Sequence, residues 1–150
     1  MIPRSFRIVL LAVACAGLAA CDEKLSTLAG PTPNLEPTFS SIQRDIFEAT
    51  DSSVRSACTQ CHTNTGRNPS GGLNLNHDVA YDQIVNVAAR GKTGAVRVIP
   101  GDSDNSYIIQ KLEGAAGIAG RRMPFSGPPY LTAGQILIIR RWIAIGAPRN

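Results

Sequence analysis

The sequence predicts a small all-α domain of about four helices joined by long loops. Apolar residues recur at helical spacing in several segments that start at capping residues, whereas only residues 95–99 alternate as a strand would. Residues 64–72 and 114–129 are rich in glycine and proline, which predicts loops. Loops of this length in a small domain are usually functional or surround something.

Two helices are predicted in the first half of the domain. Ser40 and Gln43 have the spacing of a capping box, which predicts a helix over residues 41–49. A weaker apolar pattern, with Tyr81 on its inward face, predicts another over residues 78–87.

Two more helices are predicted in the second half. One spans residues 103–113 and stops at Gly114. The other spans residues 133–145, capped by Thr132 and closed by Gly146, with Arg140 and Arg141 on its wet side. Its apolar face is broad enough to contact two objects. That face consists of Ile136, Ile138, Ile139, Trp142, Ile143 and Ile145.

The first residues have the features of an export signal. Two arginines precede an apolar run over residues 8–16, which is too short for a membrane span. Leu-Ala-Ala-Cys at residues 18–21 resembles the bacterial lipoprotein box. This resemblance implies a signal over residues 1–20 and acylation of Cys21, which would anchor the domain on the periplasmic side of the inner or outer membrane. An ordinary cleaved signal with an incidental cysteine is the alternative.

Residues 21–37 are expected to be a flexible tether that packs against nothing, because they hold three prolines and no aromatic residue. Residues 38–150 then form one small domain. The net charge of +4 is too small to suggest a nucleic-acid partner. With 43% apolar and 17% charged residues, the composition fits neither a disordered chain nor a protein with several membrane spans.

Cys58-Thr59-Gln60-Cys61-His62 has the C-x-x-C-H spacing of a c-type haem attachment site. The two thiols add to the vinyl groups along one porphyrin edge, and His62 then lies where an axial iron ligand is needed. An export signal agrees with this, since c-type haem is attached outside the bacterial cytoplasm. A redox dithiol, a structural disulfide or a zinc site that also uses His77 are the alternatives, but no βαβ unit accompanies the cysteines and adjacent ligands give poor tetrahedral geometry.

The second axial ligand is expected to be Met123. It is the only methionine left once the signal is removed, and it lies in a flexible glycine- and proline-rich loop rather than on an apolar helical face. The alternative is that this side chain only packs in the hydrophobic core. His77 is the rival ligand, and a lysine or an open position also stays possible. The neighbouring Arg121 and Arg122 are expected to steer an acidic redox partner, unless they are only a solvated surface.

Several residues are candidates for the surroundings of the haem. The Nδ1–H of His62 is expected to donate to a backbone carbonyl within residues 69–72. Tyr107 and Trp142 are candidates to bind the propionates, because buried Tyr and Trp need hydrogen-bond partners. The pocket wall is expected from Leu73, Leu75, Pro100, Ile108, Phe125, Tyr130, Leu131 and Trp142, with ordinary core membership as the alternative for each.

Residues 39–148 resemble class I cytochrome c domains, and most closely the planctomycete-type subfamily. The likeness rests on CTQCHT, GGLNL at residues 71–75, RVIPGDSDNSY at residues 97–107, RMP, and the closing LT-x-x-Q…IRRWIAIGAP. It implies one covalent haem c enclosed by the loops, anchored by Cys58 and Cys61 and ligated by His62 and Met123. It also implies first and last helices that cross near the haem edge. The longer link over residues 50–56 departs from the family and puts the packing there in doubt.

The function implied is single-electron transfer by a periplasmic, membrane-anchored carrier that is not an enzyme. Its partners would be acidic-surfaced redox proteins and, through Cys21, the lipid bilayer. A haem-based ligand sensor with a labile sixth ligand, or a subunit of a larger dehydrogenase or oxidase complex, are the alternatives.

Overall fold

The computed structural model describes residues 34–50 and 55–150, so the signal, Cys21 and most of the tether lie outside the described residues. The described residues form four α-helices and no strand, which confirms the helical class. None of these helices is long and apolar enough to cross a bilayer. The helices are α1 (Phe39–Ile42), α2 (Ala80–Ile84), α3 (Tyr107–Glu113) and α4 (Ala133–Ala144).

Helix α1 begins two residues earlier than predicted. The Oγ1 of Thr38 accepts a hydrogen bond from the backbone N–H of Ser41 at 3.2 Å, so Thr38 is the N-cap. The predicted capping box of Ser40 and Gln43 is wrong, because Gln43 points into the protein and is 1% exposed. A wider π-helix, Gln43–Phe47, continues α1.

Helices α2 and α3 are both shorter than predicted. The segment before α3 is a turn in which Ser106 Oγ accepts from Ile99 N at 2.8 Å and donates to Asp102 O at 2.7 Å. This turn occupies the residues that the sequence pattern assigned to the first helical turn of α3. Gly114 ends α3 with φ 73°, as predicted. The predicted strand over residues 95–99 makes only isolated bridges.

Helix α4 agrees best with its prediction. The Oγ1 of Thr132 accepts from Gln135 N, and the Gln135 side chain accepts from Thr132 N, which completes a capping box. Its predicted apolar face is wrong at Ile145, which is 64% exposed just beyond the helix. Arg140, predicted to face solvent, is half-buried and forms an ion pair with Glu113 at 2.9 Å.

Three aromatic rings join α1, α2 and α4. The Phe39 ring lies 5.1 Å from Tyr81 and 5.6 Å from Trp142 between ring centroids. The chain end closes over them, since Tyr81 Oη donates to Ala147 O at 2.8 Å and Trp142 Nε1 donates to Pro148 O at 2.9 Å. We call these rings and the buried residues around them the terminal core. Its other members include Ile42, Ile46, Ile84, Ile109, Ile139 and Ile143.

The end of the expected tether also packs against the domain. Leu35 lies against the core, and the backbone N–H of Glu36 donates to Ser41 Oγ at 3.0 Å. The expectation that residues 21–37 contact nothing is therefore wrong at this end, because the apolar side chain of Leu35 packs against the core.

Candidate haem-attachment site

The two motif cysteines and the histidine lie in one helical turn. Cys58–Gln60 forms a 3₁₀ turn, and the backbone N–H of His62 donates to Cys58 O at 2.9 Å. A turn of this kind brings residues three and four apart to the same side of the chain. The expected helical presentation of Cys58, Cys61 and His62 is thus present in the backbone.

The two thiols have different surroundings. Burial raises the pKa of the Cys58 thiol, whose Sγ lies 3.7 Å from Ile46 O at the end of the π-helix. Cys61 is exposed, and the two cysteines are not joined by a disulfide. One thiol therefore faces the protein interior, while the other is accessible from outside.

The imidazole of His62 is oriented by a backbone carbonyl. Its Nδ1 lies 2.9 Å from Ser70 O, inside the loop where the sequence predicted the acceptor. Because a carbonyl only accepts, Nδ1 carries the proton and the lone pair is left on Nε2. Burial lowers the pKa of His62 below its ordinary 6.5, and the charges of Arg97 and Lys111 lower it further. The ring is thus neutral at neutral pH, as metal binding requires.

The loop that supplies this carbonyl is bonded back to the motif. Ser70 N donates to Cys61 O at 3.0 Å, and Leu75 N donates to His62 O at 2.8 Å. The turn Ser70–Gly72 contains two glycines at positive φ, 61° and 62°. We call residues 58–75 the attachment segment, because its backbone hydrogen bonds make it one unit.

Met123 lies in a loop that is bonded to α3 rather than free of it. Its backbone N–H donates to Lys111 O at 2.9 Å, and its side chain is partly buried against the core. Lys111 also donates from Nζ to Ala119 O at 2.9 Å and to Arg121 O. The hydrogen bonds of Lys111 therefore hold the Met123 loop against α3.

The two loop arginines have different environments. Arg121 is exposed and lies over the Phe125 ring at 4.7 Å. Arg122 stacks on the Tyr130 ring at 4.0 Å and donates from Nε to Leu112 O at 2.7 Å. Arg122 thus ties the loop to α3 and is half-buried, whereas Arg121 is exposed to solvent.

His77, the rival ligand, is at the surface. Its side chain is 70% exposed, and Nδ1 lies 3.4 Å from Glu48 Oε1. The contact with the Glu48 carboxylate explains the position of the His77 side chain without a metal ion.

The candidate wall residues differ in how deeply they are buried. Leu75 and Leu131 belong to the buried core, Leu73 and Ile108 line its edge, and Phe125 is 61% exposed. Pro100 and Tyr130 are half-buried.

The expectation for the propionates is wrong for Trp142. Its single N–H is used by Pro148 O, and the ring is enclosed by α1 and α2. Tyr107 Oη accepts from Ala119 N at 2.8 Å and still has its own proton to donate.

The described residues fit a c-type haem. They offer two thiols in one turn, an imidazole with Nε2 available and a thioether from a second loop, which is a donor set typical of low-spin haem iron. Within residues 34–50 and 55–150, no group of three or more His, Cys, Asp or Glu side chains is placed to hold a metal ion. A haem site needs no such group, since the porphyrin supplies four donors and the protein two.

Sequence reasoning missed two buried polar side chains at this site. Arg97 is 6% exposed and donates to Gly72 O at 3.0 Å, and Gln43 donates to Leu75 O at 2.8 Å. The only signal for Arg97 was a charge inside the apolar run over residues 95–99.

Compared with models of protein families, with curated proteins and with solved structures, the chain matches none.

Proposed function

We propose that this protein is a monohaem c-type cytochrome that transfers single electrons between redox partners and is lipid-anchored in a bacterial envelope. The observation that carries the proposal is the C-x-x-C-H turn whose histidine donates from Nδ1 to Ser70 O at 2.9 Å. This bond selects the tautomer that an axial iron ligand needs. A dithiol or a structural disulfide gives no reason for such an oriented imidazole.

Each residue of the site has a role in this proposal. Cys58 and Cys61 would hold the haem as thioethers, and His62 Nε2 and Met123 Sδ would ligate the iron. The group supplies a one-electron ferric–ferrous couple, and histidine–thioether ligation raises its potential. The hydrogen bond from His62 to Ser70 O keeps the imidazole in one orientation, so that little reorganisation accompanies a change of charge.

The choice of Met123 over His77 has two supports. His77 is exposed and paired with Glu48, whereas Met123 is partly buried in a loop held by Lys111 O. Because His62 and Met123 would together fill both axial positions, the ferrous iron would have no open position for an added gas.

Arg121 is the residue that best fits a partner-steering role. It is exposed, next to the ligand loop, and it lies over an exposed aromatic ring. A cation of this kind raises the association rate with an acidic surface at low ionic strength and has little effect at high salt. The proposed partners are therefore acidic-surfaced redox proteins, and a dehydrogenase or oxidase complex that holds this chain as a subunit belongs to the same proposal.

The test uses the full chain, expressed together with a haem-attachment system. Haem that stays on the denatured polypeptide, and a low-spin ferrous spectrum indifferent to carbon monoxide, are expected for the wild type. Met123→Ala should bind carbon monoxide, and the matched variant His77→Ala should not. The Cys21→Ser variant should move from the membrane to the soluble periplasmic fraction.

The contrary outcomes are distinct. A wild type that binds carbon monoxide readily would favour a haem sensor with a labile sixth ligand. Loss of the low-spin spectrum in His77→Ala, but not in Met123→Ala, would mean bis-histidine ligation. A chain without covalent haem would return the cysteines to thiol or zinc chemistry, and a Cys21→Ser variant that stays in the membrane would remove the lipid anchor.

A further inference from the structure

Arg97 is a buried cation next to the attachment segment. The residue is 6% exposed, and its guanidinium donates from Nη1 to Gln83 O at 2.6 Å and from Nη2 to Gly72 O at 3.0 Å. The planar fork thereby joins the end of α2 to the Ser70–Gly72 turn. Lysine has a single ammonium on a flexible stem and does not reproduce such a two-pronged contact.

The turn that Arg97 holds is the one that orients His62. Ser70, at the start of the turn, supplies the carbonyl that accepts from His62 Nδ1. Gly72, at its end, supplies the carbonyl that Arg97 binds. Both termini of this three-residue turn are therefore fixed, one to the imidazole and one to a buried guanidinium.

The backbone of Arg97 is held as firmly as its side chain. Its N–H donates to Val87 O at 2.8 Å, and its carbonyl accepts from Ile108 N at 3.0 Å. Arg97 is thus anchored to α3 on one side and reaches the turn on the other. Because the backbone of Arg97 is fixed, its guanidinium can hold the Gly72 carbonyl in one position.

Within the described part of the chain, the guanidinium of Arg97 makes hydrogen bonds only to backbone carbonyls. Among the described residues no carboxylate lies within ion-pair distance of it. Burial lowers the pKa of Arg97, and the charge of Arg97 lowers the pKa of His62. An uncompensated cation disfavours any additional positive charge placed near it, and this effect is strong where water is excluded.

We propose that Arg97 is a positioning residue for the haem ligand His62, which it holds through the Ser70–Gly72 turn, and that its buried charge favours the ferrous state. The inference rests on the proposed function. Removing the fork would free the turn and let the Nδ1–H···O bond of His62 open more often. Removing the charge would make the ferric form, which carries one more positive charge, easier to reach.

Three variants of the haem-loaded full chain separate the two effects. Arg97→Gln removes the charge and the fork, whereas Arg97→Lys keeps the charge and removes the fork. Arg90→Gln is the matched control, because Arg90 is exposed and covers the same turn, with its Cδ 2.5 Å from where a Gly72 Cβ would be. Two quantities are measured in each: the solvent-exchange rate of the His62 Nδ1 proton in the reduced protein, by NMR, and the midpoint potential.

We expect exchange to be about tenfold or more faster in both Arg97 variants and unchanged in Arg90→Gln. The equilibrium constant for reduction should fall about tenfold in Arg97→Gln, which is about 59 mV, and stay near wild type in Arg97→Lys. Unchanged exchange in both Arg97 variants, or an equal change in Arg90→Gln, would overturn the positioning role. If Arg97→Gln does not fold, exchange in Arg97→Lys decides. A wild type without covalent haem overturns both proposals, whereas a loaded protein indifferent to Arg97 overturns this one alone.

Discussion

The terminal core and the attachment segment are stabilised by different interactions. In the terminal core, Ile42, Ile139 and Trp142 are fully buried and contact one another's helices. In the attachment segment, Cys61 and most of residues 64–71 are exposed. The segment is held mainly by hydrogen bonds to backbone carbonyls, from His62 to Ser70 and from Arg97 to Gly72.

This difference shows how one small domain combines a stable base with a specific site. Apolar burial is non-directional and grows with area, so it stabilises the helices without fixing any single angle. A hydrogen bond contributes less net free energy but depends steeply on distance and angle. The attachment segment uses the second kind of interaction because an axial ligand needs a defined orientation.

The largest expected effect is at the centre of the terminal core. Trp142→Ala removes a fully buried ring from between α1 and α2 and leaves a cavity, so the free energy of unfolding should fall by about 3–5 kcal/mol. Urea unfolding followed by circular dichroism measures it. Ile145→Ala, at a 64% exposed position just after the same helix, should change stability little. Equal effects from both variants would mean that the terminal core is not the stabilising base.

A smaller effect is expected where the two regions are joined. Gln43 lies in the π-helix and donates to Leu75 O at 2.8 Å, at the end of the attachment segment. Gln43→Met would leave that buried carbonyl without a donor, at a cost of about 1–3 kcal/mol. The cost should lie at the lower end, because the variant also removes Gln43 Oε1, a buried acceptor that has no hydrogen-bond partner among the described residues. The same unfolding measurement checks it.

Gln110→Met is the matched control for that variant. Its side chain donates to Asp104 O at 3.2 Å in an exposed position, where water replaces the lost bond. If the two glutamine variants cost the same, the buried link between the two regions would have no special weight.

The smallest expected effect is a pH dependence that arises in the π-helix continuing α1. Hydrogen bonding from Arg44 holds the pKa of Asp45 below its ordinary 3.8, and Ser41 Oγ donates to the same carboxylate at 2.9 Å. A depressed folded-state pKa stabilises the protein above the unfolded-state value, and this contribution is lost as the pH falls through the folded-state pKa. Asp45→Asn should therefore lower the Tm at neutral pH, and its difference from wild type should shrink below about pH 4.

Asp78→Asn removes an exposed carboxylate that makes no hydrogen bond or ion pair with the described residues, and it serves as the control. Its Tm should match wild type at both pH values. A difference between Asp45→Asn and wild type that persists at low pH would show that charge is not the cause.

Several helix ends could be predicted from the sequence, because they depend on residues close together in the chain. The bounds of α4 follow from Thr132 and Gly146, and the end of α3 follows from Gly114, because capping depends on residues close in the chain. The start of α3 was predicted four residues too early, since Ser106 bonds with Ile99 and Asp102 in a turn that competes with the helix. The capping box at Ser40 failed because burial of Gln43 outweighed a local bond.

The sequence by itself determined the chemistry on offer: the turn of Cys58, Cys61 and His62, the methionine in a proline-rich loop, and the acceptor loop for Nδ1. These depend on residue type and short spacing. Only the tertiary structure decided that Arg97 binds Gly72 O, that Trp142 uses its N–H on Pro148, and that the two loop arginines differ. Such contacts join residues distant in the chain, or depend on which long side chain finds a buried acceptor, and no local pattern encodes that choice.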